Sequence, residues 1–114
     1  MNVAVGTDGA ASNNDLSMLD ELRTAALMAN GTRREDDPQI SAHECLAAGT
    51  LNGARALALG DQIGSIVPGK WADLCCIDLN RPHTQPVYDP AAQIVFATSR
   101  DQSGSRSPER HKSI

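Results

Sequence analysis

The chain has almost no large aromatic side chains with which to build a core. Only one Trp, one Tyr and one Phe occur in 114 residues, although 40% of the residues are hydrophobic. Its core must therefore come from Ala, Leu, Ile and Val, which bury less area per residue than aromatic side chains. Such residues favour thin layers of helix on sheet, so we expect part of a larger assembly rather than an independent compact core.

Charge and hydropathy argue against two classes of function. The formal net charge is −4, whereas phosphate recognition requires a basic face. No apolar run approaches the roughly 20 residues that span a bilayer, and no signal-peptide pattern follows Met1. We therefore expect a cytoplasmic protein that binds neither nucleic acid nor a membrane. The three cysteines lack a CxxC spacing, which predicts reduced and buried thiols.

Hydrophobic periodicity predicts strands and helices along the chain. A short β-branched run ends at Thr7-Asp8-Gly9, which places Asp8 at the C-terminal end of a buried strand. Asp15 is expected to cap the first helix, and Ser41 with Glu44 has the spacing of a capping box. The predicted elements are a strand at 2–6, helices at 15–30, from Ser41 and at 52–59, and strands at 63–67, 72–79 and 93–98.

Asp8 is the strongest candidate for a catalytic residue. It follows an apolar run, and parallel α/β barrels carry their chemistry at the C-terminal ends of strands. A carboxylate in that place can bind a metal and accept a proton. The alternative is a turn aspartate, since Asp-Gly pairs are common in tight turns. The surrounding residues favour the catalytic interpretation.

Several segments resemble one family of enzymes. The segment from Gly6 to Leu16, GTDGAASNNDL, resembles the last barrel strand and loop of the 5'-methylthioadenosine/S-adenosylhomocysteine deaminases, in the amidohydrolase superfamily. Segments 18–26 and 48–57 resemble the helix after that strand and the closing helix, and 63–74 resembles the entry into the small β-domain. The resemblance covers residues 2–102. Its Ser12-Asn13-Asn14 extension points to the adenosine-type deaminases.

The resemblance implies an α/β fold class and an incomplete enzyme. Residues 1–60 correspond to the last strand and helices of a TIM barrel of a metal-dependent hydrolase, and residues 61–102 to part of a small flanking β-sandwich domain. Residues 103–114 turn abruptly polar, with three basic side chains against one acid. This composition predicts a disordered tail, because little apolar surface offsets the ordering entropy. The abrupt change leads us to expect a truncated or frame-shifted gene product.

The resemblance also implies the chemistry. The family hydrolyses carbon–nitrogen bonds in cyclic amidines, and its deaminases convert a purine nucleoside, 5'-methylthioadenosine or S-adenosylhomocysteine, to the inosine form and ammonia. Asp8 matches the family's metal-ligating aspartate, which also moves a proton from the attacking water towards the ammonia. The implied cofactor is a divalent metal, with zinc as the first candidate. The resemblance does not decide whether the enzyme forms a homo-oligomer. Ser12 and Asn13 are candidates for the loop beside the substrate, with turn hydrogen bonding and helix entry as the alternative.

The family's other metal ligands are missing from the sequence. The family's site needs several histidines, including a His-x-His pair, and no such pair occurs here. The histidines present, His43, His83 and His111, are expected to be solvated or capping residues. One carboxylate cannot hold zinc in a four-ligand site. A complete barrel also needs about 250 residues, so we expect the chain to be inactive alone.

Two alternative functions stay open. A related amidohydrolase of the triazine or guanine hydrolase type would share segments 48–57 and 63–74 with this chain. A non-catalytic remnant that docks on an intact homologue through unpaired strand edges is also consistent with the sequence. A phosphate loop is excluded, because the G-x-x-x-x-G-K match at 64–70 is followed by Trp71 where Ser or Thr is required.

Overall fold

Helices and two short strands follow one another in the computed structural model, which describes residues 1–106. The elements are α1 (Met18–Thr32), α2 (Ala42–Gly49), α3 (Leu51–Ala56), β1 (Leu74–Ile77), α4 (Pro90–Ala97) and β2 (Ser103–Arg106). Short 3-10 helices lie at Pro82–Thr84 and Arg100–Gln102. The predicted mixture of helix and strand is confirmed. None of the helices within these residues is long and apolar enough to cross a membrane.

The first two helices begin where side chains cap them. α2 carries the predicted capping box: the Ser41 hydroxyl accepts from the Glu44 amide at 3.2 Å, and Glu44 Oε2 accepts from the Ser41 amide at 2.8 Å. Ser17 caps α1, and its Oγ accepts a first-turn backbone N–H at 3.4 Å. The prediction of Asp15 as this cap was wrong, because Leu16 takes a left-handed φ of 53° and turns the chain before the helix starts.

Three helices pack together through small side chains. α1, α2 and α4 meet at Ala26, Cys45 and Val95, which are 0%, 5% and 0% exposed. Ala42 and Ala91 complete the same buried cluster. Small side chains let the helices approach closely, and the many dispersion contacts between close-packed atoms stabilise them together. The core is therefore aliphatic, as the composition predicts.

No aromatic side chain lies in this core. Trp71, Tyr88 and Phe96 are 54%, 92% and 42% exposed. Leu57 and Ile66 are also exposed, at 71% and 75%. The large aromatic side chains therefore contribute nothing to this core.

β1 lies inside the strand predicted at 72–79, but its partner is not the expected one. It pairs antiparallel with β2, with Ile77 opposite Ser103 and Cys76 opposite Gly104. The segment 63–67 forms bends and an irregular stretch instead of a strand. Gly64 has a φ of +86° there, which interrupts the extended backbone that a hairpin with β1 would need.

The disorder predicted for residues 103–114 is wrong for the first four of them. Ser103–Arg106 forms β2, and pairing with β1 satisfies those backbone N–H and C=O groups of β2 that face β1, without requiring apolar side chains. The rest of the predicted polar tail, residues 107–114, lies outside the described residues.

α4 occupies the segment predicted as a strand at 93–98. Asp89 caps it by accepting from the Ala91 amide at 3.0 Å, and Pro90 takes the first helical position. An aspartate cap followed by proline favours a helix start, because proline lacks only an N–H that would be unpaired in any case. These signals, together with burial of Val95 between helices, outweigh the strand preference of β-branched residues.

Residues 2–6 do not form the predicted buried strand within the described chain. Val3 is 51% exposed, and the run makes one backbone bond to the helices, from the Val5 amide to the Ala48 carbonyl at 3.1 Å. A strand needs a neighbouring strand to satisfy its N–H and C=O groups. The sheet formed by residues 1–106 contains β1 and β2 alone.

The prediction of buried thiols holds for one cysteine of three. Cys45 is buried between the helices, and this burial raises the pKa of its thiol, with the Glu44 charge adding to the effect. Cys75 and Cys76 lie exposed on β1. All three are free thiols, as expected.

Lys70 holds together the loop between α3 and β1. Its Nζ donates to Ser65 Oγ at 2.8 Å and to the carbonyl oxygens of Gly60 and Ile63. An ammonium group has three protons, so these three acceptors satisfy it. The lysine of the apparent phosphate-loop pattern therefore binds its own loop.

Gly64 and Gly69 provide a test of this packing. Both have positive φ, but a methyl group at Gly64 would lie 2.8 Å from Ala54 Cβ and 2.9 Å from Leu51 Cα, whereas one at Gly69 would meet open space. We expect Gly64→Ala to lower the free energy of unfolding by about 3 kcal/mol, from strain plus overpacking, and Gly69→Ala by about 1 kcal/mol, from strain alone. Urea unfolding followed by circular dichroism measures both. Equal losses would contradict the close approach at Gly64.

Candidate active site

Asp8 lies exposed at the start of the loop that joins residues 2–6 to α1. Its backbone has a φ of 58°, in the left-handed region. For a residue other than glycine this conformation costs about 1–3 kcal/mol, and it persists only where surrounding contacts hold it. The contacts of the loop therefore show how Asp8 is kept in place.

Both carboxylate oxygens of Asp8 accept hydrogen bonds from the loop itself. Oδ2 accepts from the Ser12 hydroxyl at 2.8 Å, and Oδ1 accepts from the Gly9 amide at 2.7 Å. These bonds favour the charged form, so Ser12 first and Gly9 second lower the pKa of Asp8. The carboxylate is charged at neutral pH, and each oxygen keeps a further lone pair for a metal or a proton.

Asn13 is half-buried and uses its whole side-chain amide within the protein. Nδ2 donates to the Thr7 carbonyl at 3.1 Å and to Glu21 Oε1 at 2.6 Å, while Oδ1 accepts from the Asp15 amide at 3.2 Å. The turn hydrogen bonding considered for this residue is therefore present. Asn13 links the residue before Asp8 to the first turn of α1.

The far end of the loop is tied to the 3-10 helix before β2. Arg100 Nη1 donates to both the backbone carbonyl and Oδ1 of Asp15, each at 2.9 Å. The two side chains are 66% and 57% exposed, so the ion pair contributes at most about 1 kcal/mol. It nevertheless connects the loop to a segment 85 residues away.

Sequence reasoning missed Glu21 and Arg100. Glu21 is an acidic residue in the first turn of α1, where its negative charge interacts favourably with the helix dipole. That common role already explains its position in the sequence, so nothing there indicates a contact with the loop. Arg100 is a charged residue in a polar stretch with no spacing signal. Only the folded loop shows that Glu21 reaches Asn13 and that Arg100 reaches Asp15.

The described residues supply one candidate metal ligand, Asp8, rather than a complete site. No group of three or more His, Cys, Asp or Glu side chains suited to a metal occurs within residues 1–106. His43 on α2 and His83 in the 3-10 helix after β1 are both exposed, as predicted, and His83 Nε2 also lies 2.8 Å from Oε1 of the buried Gln102. His111 lies outside the described residues. The donor chemistry of Asp8 fits a divalent metal as a single carboxylate ligand.

An apolar groove of about 380 Å³ lies apart from Asp8, between α1, α2 and β1. Neither Asp8 nor Ser12 nor Asn13 contributes to its wall. The apolar side chains in that wall include Leu19, Leu22, Leu46, Ile77 and Ile94.

Comparison with known proteins places these features in a family. The model of the amidohydrolase family matches residues 1–102. The chain is also 50% identical over 97 residues to a 5-methylthioadenosine/S-adenosylhomocysteine deaminase of Moorella thermoacetica, a match that covers 85% of the chain and 22% of the relative. The chain therefore spans about a fifth of the length of the curated relatives that it matches.

Solved structures of two enzymes have the same arrangement of elements. An adenosine deaminase from Xanthomonas campestris with bound zinc is similar with a TM-score of 0.84 at 50% identity, over 90% of this chain and 23% of that chain. A triazine hydrolase variant is similar with a TM-score of 0.83 at 30% identity, over 94% of this chain and 24% of that chain. The helices and strands described above therefore form a segment of the amidohydrolase fold.

The Ser12 hydroxyl gives a direct test of the Asp8 environment. Ser12→Ala should raise the pKa of Asp8, because it removes the largest stabilisation of the charged form. Thr7→Val is the matched control, since Thr7 Oγ1 donates to the Asp8 backbone carbonyl at 3.2 Å and not to the carboxylate. Titration of the Asp8 carboxyl carbon by NMR measures the pKa, and an unchanged value in Ser12→Ala would contradict the assignment.

The sign of the linked stability follows from the depressed pKa of Asp8. The hydrogen bonds to the charged form stabilise the fold above the pKa that Asp8 has in the unfolded chain. This contribution is lost as the pH falls through the folded-state pKa. Ser12→Ala should therefore lower the free energy of unfolding at neutral pH and change it little at a pH below the folded-state pKa of Asp8.

Proposed function

Because this chain belongs to the amidohydrolase family, we propose that it is part of a metal-dependent hydrolase that deaminates a purine nucleoside. The proposed substrates are 5'-methylthioadenosine and S-adenosylhomocysteine, and the products are the inosine form and ammonia. The observation that carries the proposal is Asp8, a charged carboxylate held with a left-handed φ inside the family match at 1–102.

The substrate class is supported by two features. The chain is 50% identical to a relative that is named as a deaminase of these two nucleosides, but only 30% identical to the triazine hydrolase variant. The Ser12-Asn13-Asn14 segment, which resembles the adenosine-type deaminases, also forms the loop that holds Asp8. The features that favour nucleoside chemistry therefore lie beside the proposed catalytic group.

Asp8 moves the proton in the proposed reaction. Its carboxylate accepts a proton from the attacking water and donates it to the departing amino group, so that water and nucleoside become the inosine form and ammonia. Its lowered pKa keeps the carboxylate ionised at neutral pH, which is the form that accepts a proton. Ser12 keeps the carboxylate oriented through its hydrogen bond to Oδ2.

The proposed cofactor is a divalent metal, with zinc as the first candidate. Asp8 is the residue of this chain that would hold it. When bound, the metal lowers the pKa of a water to about 7 and so supplies a nucleophile at neutral pH. The Xanthomonas campestris relative carries bound zinc. Zinc takes about four ligands, so the others would come from parts of the enzyme beyond the segment described here.

We further propose that residues 1–60 are the last strand and helices of a (β/α)8 barrel and that residues 61–102 belong to a flanking β-sandwich. The unpaired run at 2–6 would then pair with a neighbouring barrel strand. The exposed Trp71, Tyr88 and Phe96 would be covered by the rest of the enzyme. The proposed enzyme acts in the cytoplasm on a small molecule, without a nucleic acid or membrane partner.

Two alternatives each have one observation in their favour. A triazine hydrolase activity is favoured by the TM-score of 0.83 to such an enzyme. A non-catalytic role as a docking module is favoured by the two-stranded sheet, in which β1 and β2 each keep an unpaired edge among residues 1–106. Such an edge can add to the sheet of an intact homologue.

The isolated chain should neither turn over a nucleoside nor retain zinc. One carboxylate ligand cannot replace the four that zinc takes, so elemental analysis after dialysis should find well under one zinc per chain. Ammonia release from either nucleoside should equal that of buffer. Measured turnover above buffer would contradict the view that the site is incomplete, and a defined complex with an intact homologue on size exclusion would favour the docking module.

A chimeric enzyme tests the activity itself. Residues 1–102 of this chain would replace the matching segment of the Moorella thermoacetica deaminase, and we expect the chimera to deaminate 5'-methylthioadenosine. Asp8→Asn in that chimera should lower kcat by about a thousandfold, because it removes a proton acceptor and a metal ligand together. Asp36→Asn, in the exposed loop after α1, is the control with the same charge change and should leave kcat unchanged.

A second host discriminates between the two enzymatic functions. The same residues placed in the triazine hydrolase should give a chimera with far lower activity than the deaminase chimera. Activity only in the triazine hydrolase host would contradict the nucleoside proposal. Full activity of the Asp8→Asn deaminase chimera would contradict the role of Asp8.

A further inference from the structure

The loop after Asp8 is fastened to α1 through one side chain. Asn13 Nδ2 bridges the Thr7 carbonyl and Glu21 Oε1, at 3.1 Å and 2.6 Å. The bond to Glu21 is short and joins a neutral donor to a charged acceptor, which makes it stronger than an ordinary amide bond. The peptide that precedes Asp8 is therefore fixed relative to a helix of the core.

The fastened loop contains Asp8, whose backbone conformation needs supporting contacts. Asp8 has a φ of 58°, which a chain without supporting contacts rarely adopts. Ser12, which binds the Asp8 carboxylate, is the immediate neighbour of Asn13. Fixing Asn13 therefore fixes both the backbone of Asp8 and the hydroxyl that orients its carboxylate.

The two ends of the loop are held with unequal strength. Arg100 binds Asp15 at the far end, but both side chains of that pair are more than half exposed, so water and salt weaken it. Asn13 and Glu21 are both partly buried, and their hydrogen bond is screened less. The anchor at Asn13 therefore dominates the geometry near Asp8.

We propose that Glu21 is a positioning residue for the reaction, which acts through Asn13 to hold the Thr7–Asp8 backbone and Ser12 in the arrangement that aims the Asp8 carboxylate. This inference rests on the proposed function, because it assigns a role in aiming a catalytic group. Glu21 itself binds the loop and carries no proton in the reaction. Its neighbour Asp20 has the same charge in the same helical turn, but binds Arg23 at 3.2 Å instead of the loop.

Hydrogen exchange of loop amides tests the anchor without any assay of activity. In the full chain, Glu21→Ala and Asn13→Ala should each accelerate exchange of the backbone amides of residues 12 and 13, which both donate to the Gly9 carbonyl at 3.0 Å, about tenfold, because the bond that anchors their loop to a charged group is lost. Glu21→Gln keeps an oxygen acceptor and should restore most of the protection. Asp20→Ala removes an equal charge from the helix turn and should leave these amides unchanged.

The double variant adds a measure of coupling. If Glu21 acts through Asn13, then Asn13→Ala combined with Glu21→Ala should accelerate exchange no more than either single change does. Additive effects of the two changes on the exchange rates would overturn the proposal. So would exchange rates that stay unchanged in both single variants, or that rise equally in Asp20→Ala. A variant whose circular dichroism shows loss of the helices is measured instead in the deaminase chimera, by exchange of the peptide that contains the loop.

Kinetics of the chimera separate positioning from general stability. Glu21→Ala should lower kcat about tenfold with KM nearly unchanged, and Glu21→Gln should recover it, because only aiming of Asp8 is altered. An equal loss in Glu21→Gln and Glu21→Ala would overturn the positioning role. Failure of the unmodified chimera to deaminate would contradict the proposed function, whereas the exchange results would still decide the anchor.

Discussion

Close packing of α1 against α2 and α4 is the contact on which the other features of this chain depend. Ala26 has no exposed surface where the three helices meet, and Leu22 lies against the backbone of Gly49, where an added methyl would be 2.9 Å from Leu22 Cδ2. The same helix also holds the end of α4, because Arg23 Nη2 donates to the Thr98 carbonyl at 2.6 Å. α1 is thus fixed on several sides by short contacts. It provides a rigid base for the loop that precedes it.

That base explains how an exposed loop can keep a strained residue. Asp8 has a left-handed backbone, and its carboxylate is oriented by Ser12 and Gly9, which are loop residues themselves. Water can replace the hydrogen bonds within an exposed loop at little cost in free energy. An anchor to a packed helix is therefore needed to keep Asp8 in this conformation. Glu21 and Asn13 supply it. Packing of small side chains and the placement of a candidate catalytic group are therefore parts of one structure.

The surfaces of the chain are consistent with a larger enzyme around it. Its aromatic side chains and several large aliphatic ones face solvent, whereas the buried core consists of Ala, Val, Leu and Cys. Exposing every aromatic side chain of the chain costs free energy in water, and contact with further protein would offset that cost. The curated relatives have about four-fifths of their length beyond the matched segment. A single carboxylate at the edge of such a segment suits a metal site shared with residues elsewhere.

The sequence by itself determined the features that depend on neighbouring residues. The Ser41–Glu44 capping box and the period of α1 are local, and so were predicted correctly, and the GTDGAASNNDL segment indicated the family and made Asp8 the candidate catalytic residue. The tertiary structure decided what depends on distant partners. α4 was predicted as a strand because its β-branched residues outweighed the local Asp89–Pro90 helix start, while its burial against α1 and α2 was not visible in the sequence. β2 was predicted as a tail because strand pairing uses backbone groups that every residue carries. The contact of Glu21 with Asn13 likewise arises only when the loop folds back on α1, since no spacing rule brings a loop amide to a helix carboxylate.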